Sequence, residues 1–463
     1  MAKMLRLIQN EFIKSFKKIS TIILFVIVVV VGIGFTALMY FAIEEEKSWN
    51  QEMYGYEKLD YDTLISDCEI EGFTGYELQI EMWEYLRDNE IPSPESWKYF
   101  AVEEAFAYEV EETFDDEGNV KGTAYYTYDD ATRKQMLNVV ETNDWKTYCE
   151  YMIKRNNAMG MPEELNWQYQ YRLDNNIAPP EKREDFDDYK NRLISQVAMA
   201  KDAIANGATK EEQEALENDI KLALYRLDND IRVNVADYSM NGDWPDYTIW
   251  ICLVNSSMIV SFIGLLVVVL AGSSVANEFS QGTIKFLLIN PVKRWKILVS
   301  KYITCLLTGY ALIMVFYVAT LLISMVLFGT ADIGADYIKI ANGEIVTTSG
   351  IVYIFKTYMI KSINVVVMAT LAFAISSLVR SSGLAIGVSV FSLLGGSTVV
   401  QLLAQFKQDW ARYLIWANTD LTVIASDGSM FPNHSLGFAI AVIIAHMVVF
   451  GLIAWDGFTK REV

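Results

Sequence analysis

Six stretches of this chain stay apolar for about 20 residues or more, the length an α-helix needs to cross a hydrocarbon core of about 30 Å. They run approximately Thr21–Ile43, Ile249–Ala271, Tyr302–Leu327, Met359–Leu378, Gly383–Leu403 and Leu436–Trp455. Backbone polar groups in lipid must be satisfied within the protein, so stretches of this length are expected to be helices. The first is too long for a signal-peptide core and lacks a small-x-small cleavage site, so it reads as a retained anchor. The expected fold class is an all-α polytopic membrane protein with six transmembrane helices.

Charge divides the chain in a second way. Hydrophobic residues make up 52% of it, yet its formal net charge is −20. Positions 44–248 hold 48 acidic and 20 basic residues, and the remainder holds 10 acidic and 18 basic. A large acidic domain, 44–248, is therefore inserted between helix 1 (21–43) and the other five spans (249–463). Basic residues near the spans fall on one side of a six-span topology: Lys3, Arg6, Lys14, Lys17 and Lys18, five in the 275–302 connection, Arg380, and Lys460 with Arg461. The positive-inside rule makes that side cytoplasmic. The expected localisation is a plasma membrane, multi-pass, with both termini cytoplasmic. The acidic domain, Phe328–Gly350 and the 404–435 segment then lie outside.

Residues 1–20 place Leu5, Ile8, Phe12 and Phe16 at helical spacing beside Arg6, Lys14, Lys17 and Lys18. That pattern suits an amphipathic helix in the membrane interface, or a basic run that only orients the first span. The acidic domain reads as mostly helical, with helices expected over Asp144–Asn157 (capped by Thr142 or Asn143), Glu163–Asn176, Glu184–Ala205 and Lys210–Asp230. Alternation on either side of Asp116-Glu117-Gly118-Asn119 predicts a hairpin within Tyr108–Tyr128. The heptapeptide Tyr171–Ile177 (YRLDNNI) recurs as Tyr225–Ile231 (YRLDNDI). Either two helices share one kind of cap and packing face, or a helical unit is duplicated. Cys68 and Cys149 both fall in this domain, where a disulfide is possible and a reducing habitat would leave them free. Cys252 and Cys305 lie in spans and read as packing residues. Span two carries Asn255, Ser256, Ser257 and Ser261, which can bond across helices, and span five ends in Gly395-Gly396-Ser397, which permits close approach.

The connection Val275–Tyr302 is unusually built for a loop between two spans. Asn277 and Glu278 end the incoming helix, Gly282 breaks it, and Thr283 can cap a short new helix carrying Ile284, Phe286, Leu287 and Leu288. Asn290-Pro291 breaks the chain again and suits the N-cap and first position of the next helix, which carries Lys293, Arg294, Lys296 and Lys301. The result is a short surface helix, 277–301, apolar on one side and basic on the other. A basic loop that only fixes topology would share this composition. The order of residues, E-F-x-x-G-T-I-K-x-L-L-x-x-P-x-x-R-x-x-x-L-x-x-K-Y, resembles the coupling helix of type-2 ABC exporter permeases, relatives of the bacitracin- and sodium-extrusion permeases of Gram-positive bacteria.

Other parts share the resemblance. The N-E-F-I-K-S-F-K-K wording is similar to the elbow helix that opens such permeases. Segment 404–435, with Trp410, Tyr413 and Trp416, is similar to their external re-entrant helices between the last two spans. The likeness covers roughly 1–45 and 249–463, and leaves the acidic insert without functional specificity. It implies type-2 ABC permease architecture, a separate cytosolic ABC ATPase that binds the ATP, and a second permease subunit, identical or not, in contact with membrane lipid. It also implies roles in ATPase coupling. Phe279, Ile284 and Leu287 would anchor in an ATPase groove, Glu278 would pair with a basic residue of the ATPase, and Gly282 and Thr283 would make the turn. Pro291 would open the next helix, while Arg294 and Lys301 would hold the loop against acidic headgroups or the ATPase rim. Peptide antibiotics, lipids and ions all remain open as substrates, with antimicrobial peptide resistance one implied role.

The sequence contains no P-loop, no H-E-x-x-H, no G-x-S-x-G and no clustered Cys/His set, so no catalytic, cofactor, metal or nucleic-acid site is expected. His434 reads as a loop residue. His446, in span six, reads as a bundle-facing hydrogen-bonding group or a proton relay. Two readings of function follow. One is the permease subunit of an ATP-driven exporter, not itself an enzyme. The other is a secondary transporter or membrane-anchored sensor whose acidic domain binds an external ligand. Secondary transport usually needs ionisable groups at mid-membrane depth. Only His446 offers one, and the short cytoplasmic parts leave no room for a sensor's output module.

Overall fold

The computed structural model describes residues 2–53, 61–71, 76–91, 96–114, 120–127, 130–182, 188–239, 248–283, 292–379, 381–425 and 428–460. Two compact units emerge: Met1–Ile43 with Val235–Tyr337 and Thr348–Val463, and Glu44–Asn234 with Ile338–Thr347.

The first unit holds six helices long and apolar enough to cross a membrane: Ile19–Glu45, Ile249–Ser274, Arg294–Phe328, Gly350–Leu378, Ser382–Gln405 and Leu436–Thr459. Each coincides with one of the six apolar stretches. The second and fourth form the centre, with 56% of each span's apolar window buried, against 17% for the first and sixth. Lipid tails are as apolar as leucine, so helix association in a membrane depends on close packing and on polar contacts. Both are present here. A Cβ on Gly264 of span two would lie 3.2 Å from Val365 of span four, and one on Gly309 of span three 3.0 Å from Val267 of span two. The Ser256 and Tyr358 hydroxyls, from spans two and four, are 2.7 Å apart. Asn255 turns its amide back to the carbonyls of Ile251 and Tyr238 (2.7 and 3.2 Å), where span two passes through a 3₁₀ turn at Ser257–Ile259.

Helices three and four begin earlier than their apolar stretches. The third is 35 residues long. At about 1.5 Å per residue that far exceeds a hydrocarbon core of about 30 Å, so its basic first turns are part of the same rigid rod. It starts at Arg294 with Lys293 as N-cap in a non-helical conformation (ψ 132°), rather than at Pro291 as expected. The fourth starts at Gly350 rather than Met359. The chain before it, expected to be a loop, contains an antiparallel-type hairpin signal that the structure realises as strands β3 (Asp336–Ala341) and β4 (Glu344–Ser349). Asn342 and Gly343 turn it, both at positive φ (53° and 75°). An Asn-Gly pair between strand-like runs is a strong hairpin signal, so this element was available in the sequence.

The 404–435 segment folds into 3₁₀ turns at Asp409–Tyr413 and Ile415–Ala417 and a short helix at Leu421–Ala425. Its small core joins Val400, Ala411 and Phe431, and Trp416 packs onto Gly396, where a Cβ would fall 2.2 Å from the indole.

Among the described residues the second unit shows two buried clusters. One centres on Leu86, Trp97, Val102, Met136, Tyr148 and Cys149, the other on Leu193, Ile194, Val197, Ala223 and Leu227. The predicted hairpin is present as strands β1 (Tyr108–Phe114) and β2 (Val120–Thr127), paired antiparallel with an irregularity at Thr113/Phe114. The helix expected over Asp144–Asn157 is Trp145–Ala158, and its cap is Asp144, whose carboxylate accepts from Thr147 N at 3.2 Å. Asn143 cannot serve, because its left-handed backbone (φ 53°) lies outside the extended geometry a capping residue needs. The helices expected from Glu184 and Lys210 run over Tyr189–Ala205 and Lys210–Asp228, the latter opened by a Thr209/Glu212 capping box.

The repeated heptapeptide is one helix ending used twice. Asn176 and Asp230 sit in the left-handed region (φ 53° and 54°). In both copies an isoleucine N–H then returns to an arginine carbonyl: Ile177 to Arg172 at 3.0 Å, Ile231 to Arg226 at 2.9 Å. The two buried guanidiniums donate to the carbonyls six residues on, Ala178 and Arg232, at 3.0 and 2.9 Å. This is the shared cap and packing face foreseen for the motif. Cys149 carries a free, fully buried thiol, pushed up to about 12 by burial. The side chain of Cys68 lies outside the described residues.

Candidate functional site

The N-terminal helix Ala2–Phe16 places Glu11 and Lys14 three residues apart, and therefore on one face. Span two ends at Ser274, and a short helix, Ala276–Ser280, follows at once. The junction is pinned, since the Val275 and Ala276 N–H groups both donate to the buried Ser376 hydroxyl of span four, at 3.1 and 2.9 Å. Gly282 then turns the chain at φ +70°, a conformation that favours glycine, and nothing lies within 4 Å of where its Cβ would be. Thr283 follows, and Lys301 stands on the helix of span three.

These elements meet at Glu278. Its Oε1 accepts from Lys301 Nζ and from Lys14 Nζ, each at 3.0 Å, and its Oε2 accepts from the Thr283 hydroxyl. Lys301 also donates to Glu11 Oε2 at 3.1 Å. The side chains of Lys301 and Glu278 are 7% and 10% exposed, so this chain of charges lies largely away from water. Burial alone would raise the carboxyl pKa of Glu278. The charge of Lys301 and the hydrogen bonds from Thr283, Lys301 and Lys14 outweigh it and hold the group down at about 2. Burial likewise opposes the charge on Lys14, and its bond to Glu278 together with the charges of Glu278 and Glu11 outweighs that, raising its pKa. The short helix is therefore tied to the N-terminal helix and to span three through hydrogen-bonded charges, and the junction before it to span four through Ser376.

Of the residues singled out in the sequence, Glu278, Thr283 and Lys301 come together, and Gly282 makes the turn. Phe279 is half-buried on the short helix. Arg294 opens span three, its guanidinium 3.5 Å from the Thr459 carbonyl. Ile284, Leu287 and Pro291 lie outside the described residues. Lys301 is buried and pairs with two carboxylates, Glu11 and Glu278. Glu278 finds its basic partners within this chain. Glu11 and Lys14 went unrecognised, since nothing near position 11 points to position 301.

His434 lies in the loop before span six, as expected, and is buried there. The Asn418 amide nitrogen donates to the Arg412 and Leu414 carbonyls (2.8 and 2.7 Å), which turns its oxygen toward His434 Nε2 at 2.8 Å. Nε2 thus carries the proton, and Nδ1 accepts from the Ser429 hydroxyl at 2.7 Å. Burial, then the charge of Arg412, lower its pKa from 6.5, so the imidazole is neutral. His446 bonds to the Val442 carbonyl of its own helix at 2.9 Å rather than across the bundle.

Comparison with known proteins places these features in a family. The protein YhcI of Bacillus subtilis (strain 168), described as uncharacterized, is 33% identical over 236 residues, which is 50% of this chain and 75% of YhcI. The uncharacterized membrane protein YdbK of the same organism is 35% identical over 199 residues, 43% of this chain and 76% of YdbK. No solved structure matches. The model of a family of proteins of unknown function, DUF2705, matches residues 220–463, which hold Glu278, Lys301 and spans two to six but not the N-terminal helix. The chain is a multi-pass helical membrane protein that belongs to the DUF2705 family.

Proposed function

We propose that this protein is the permease subunit of an ATP-driven ABC exporter, with Val275–Tyr302 as the element that receives motion from a separate cytosolic ATPase. The observation that carries this reading is the Glu278 cluster. A plain topological loop needs its basic residues only at the surface, free to meet headgroups. Here a buried carboxylate ties the connection to the N-terminal helix and to span three. Such a link costs desolvation and is not needed for insertion, but it suits a lever. On this reading the short helix Ala276–Ser280 and the residues after Gly282 contact the ATPase, Phe279 supplies an apolar anchor, and closure of the ATPase is passed to the spans. The type-2 pattern of the sequence supports the same assignment. Both termini and the connection are then cytoplasmic, the acidic domain is external, and a second permease subunit completes the transporter.

The test is co-purification with a P-loop ATPase encoded beside this chain, followed by ATPase and transport assays of the reconstituted complex. Glu278→Ala should leave membrane insertion intact and uncouple hydrolysis from transport. Normal transport by that variant in a complex that still contains the ATPase would remove the connection from the mechanism.

A further inference from the structure

Within the second unit, a cavity of about 380 Å³ opens between the helices that carry Trp97, Tyr148, Tyr169 and Arg172. That volume is in the range of small-molecule sites, about 300–1,000 Å³. Arg172 is only 4% exposed and makes no ion pair among the described residues. Its Nη1 donates to two uncharged acceptors, the Ala178 carbonyl and Asn191 Oδ1, at 3.0 and 2.7 Å. Its Nε and Nη2 make no hydrogen bond among the described residues and keep accessible surface, so they open onto the cavity that Arg172 lines. Burial lowers the pKa of this guanidinium, and no carboxylate is among the groups that act on its charge. A guanidinium stays charged nonetheless. The other charges of the lining are accounted for. Arg155 Nε lies 2.8 Å from Glu104 Oε2, and Glu103 is exposed to solvent. A buried charge without a counter-charge is costly, and that of Arg172 borders an open space.

Much of the remaining lining is aromatic. Trp97 and Tyr148 are buried with ring centroids 5.2 Å apart, Tyr169 meets Tyr148 edge-on, and Phe100 is 41% exposed. We propose that this cavity binds a carboxylate carried on an apolar body, with Arg172 as the counter-charge and the rings of Trp97, Phe100 and Tyr169 around that body. A planar carboxylate matches the fork of a guanidinium and supplies the single negative charge that the cavity lacks. A dianion such as phosphate would exceed that charge and find aromatic walls instead of donors. Gln168 and Ser195 also line the cavity, make no side-chain hydrogen bond among the described residues, and can donate to the second carboxylate oxygen. The acidic character of the domain does not oppose this, because solvent screens exposed charges more than about 8 Å apart at physiological ionic strength. A free aryl or alkyl carboxylate and the C-terminal residue of a peptide share this chemistry.

The experiment uses the full-length protein in detergent and needs no ATPase, so its outcome is independent of the coupling assignment. Calorimetric titrations compare phenylacetate, the peptide acetyl-Ala-Ala-Phe, and the uncharged amides of both. At least one acid should bind, and its amide should bind about tenfold more weakly or worse, because the amide keeps the body and removes the charge. This comparison is made on the wild type and requires no variant to fold. Arg172→Gln should weaken the acid about tenfold or more and leave the amide unchanged. Phe100→Ala, at an exposed ring that the fold does not need, should weaken acid and amide alike, by about threefold or more. Tighter binding of the peptide assigns the site to a peptide C-terminus, and tighter binding of phenylacetate assigns it to a free carboxylate. If neither acid binds at millimolar concentration, or if the amides bind as tightly as the acids, the cavity is not a carboxylate site.

Discussion

Glu278 and Lys301 are 23 residues apart in sequence and 3.0 Å apart in space, and both side chains are at least nine-tenths buried. Taking two such charges out of water costs several kcal/mol each, a cost offset only while the pair is intact. Removing one partner should therefore be far worse than removing both. Lys301→Met or Glu278→Leu should each destabilise by about 3–5 kcal/mol, and the double variant should recover much of the loss. Lys14→Met should cost only about 0–1 kcal/mol, because that ammonium is 51% exposed and solvent screens it. Denaturation midpoints of the four purified variants check the ranking.

The Glu278 carboxyl also predicts a pH dependence. Its value in the folded protein, about 2, lies below the ordinary 4.5. The carboxylate therefore contributes stability above 4.5, and that contribution is lost as pH falls toward 2. The stability difference between wild type and Glu278→Gln should accordingly shrink across that window. A constant difference would mean that the charge on Glu278 does not stabilise the fold.

The two copies of the repeated cap should respond differently to one substitution. Asn176 and Asp230 both hold positive φ, which glycine adopts without strain. Asn176→Gly should be close to neutral. Asp230→Gly should cost more, because the Asp230 carboxylate accepts from Lys190 at 2.8 Å and from the Tyr189 hydroxyl. Arg172→Met should exceed both, since it removes the hydrogen bonds of a buried guanidinium to the Ala178 carbonyl and to Asn191 Oδ1, at about 1–3 kcal/mol each. Thermal unfolding of the full chain gives the order.

Two glycines of span five make a matched pair. A Cβ at Gly396 would meet Trp416 at 2.2 Å, while one at Gly387 meets nothing within 4 Å. Gly396→Ala should displace the indole and cost about 1–3 kcal/mol. Gly387→Ala should be neutral or slightly stabilising, as alanine is the better helix former. Tryptophan fluorescence and the unfolding midpoint separate the two.

Much of this architecture is determined by the sequence alone, because the physics behind it is local. Six apolar stretches of sufficient length become six helices, since a backbone in lipid has few other ways to satisfy its hydrogen bonds. The heptapeptides that begin YRLDN end two helices in the same manner because the cap lies within the motif, and Asn342-Gly343 encodes its hairpin in two residues. The tertiary structure alone decided the partners of the charged groups. A lysine such as Lys301, at the edge of an apolar run, can reach outward to water and headgroups or inward to a carboxylate. The choice depends on whether another element brings a carboxylate close, and Glu11 is 290 positions away. His434 shows the same dependence, for its role rests on an Asn418 whose amide two backbone carbonyls have already oriented. Span-length hydrophobicity is a property of neighbours in sequence, whereas the pairing of a buried charge is a property of neighbours in space.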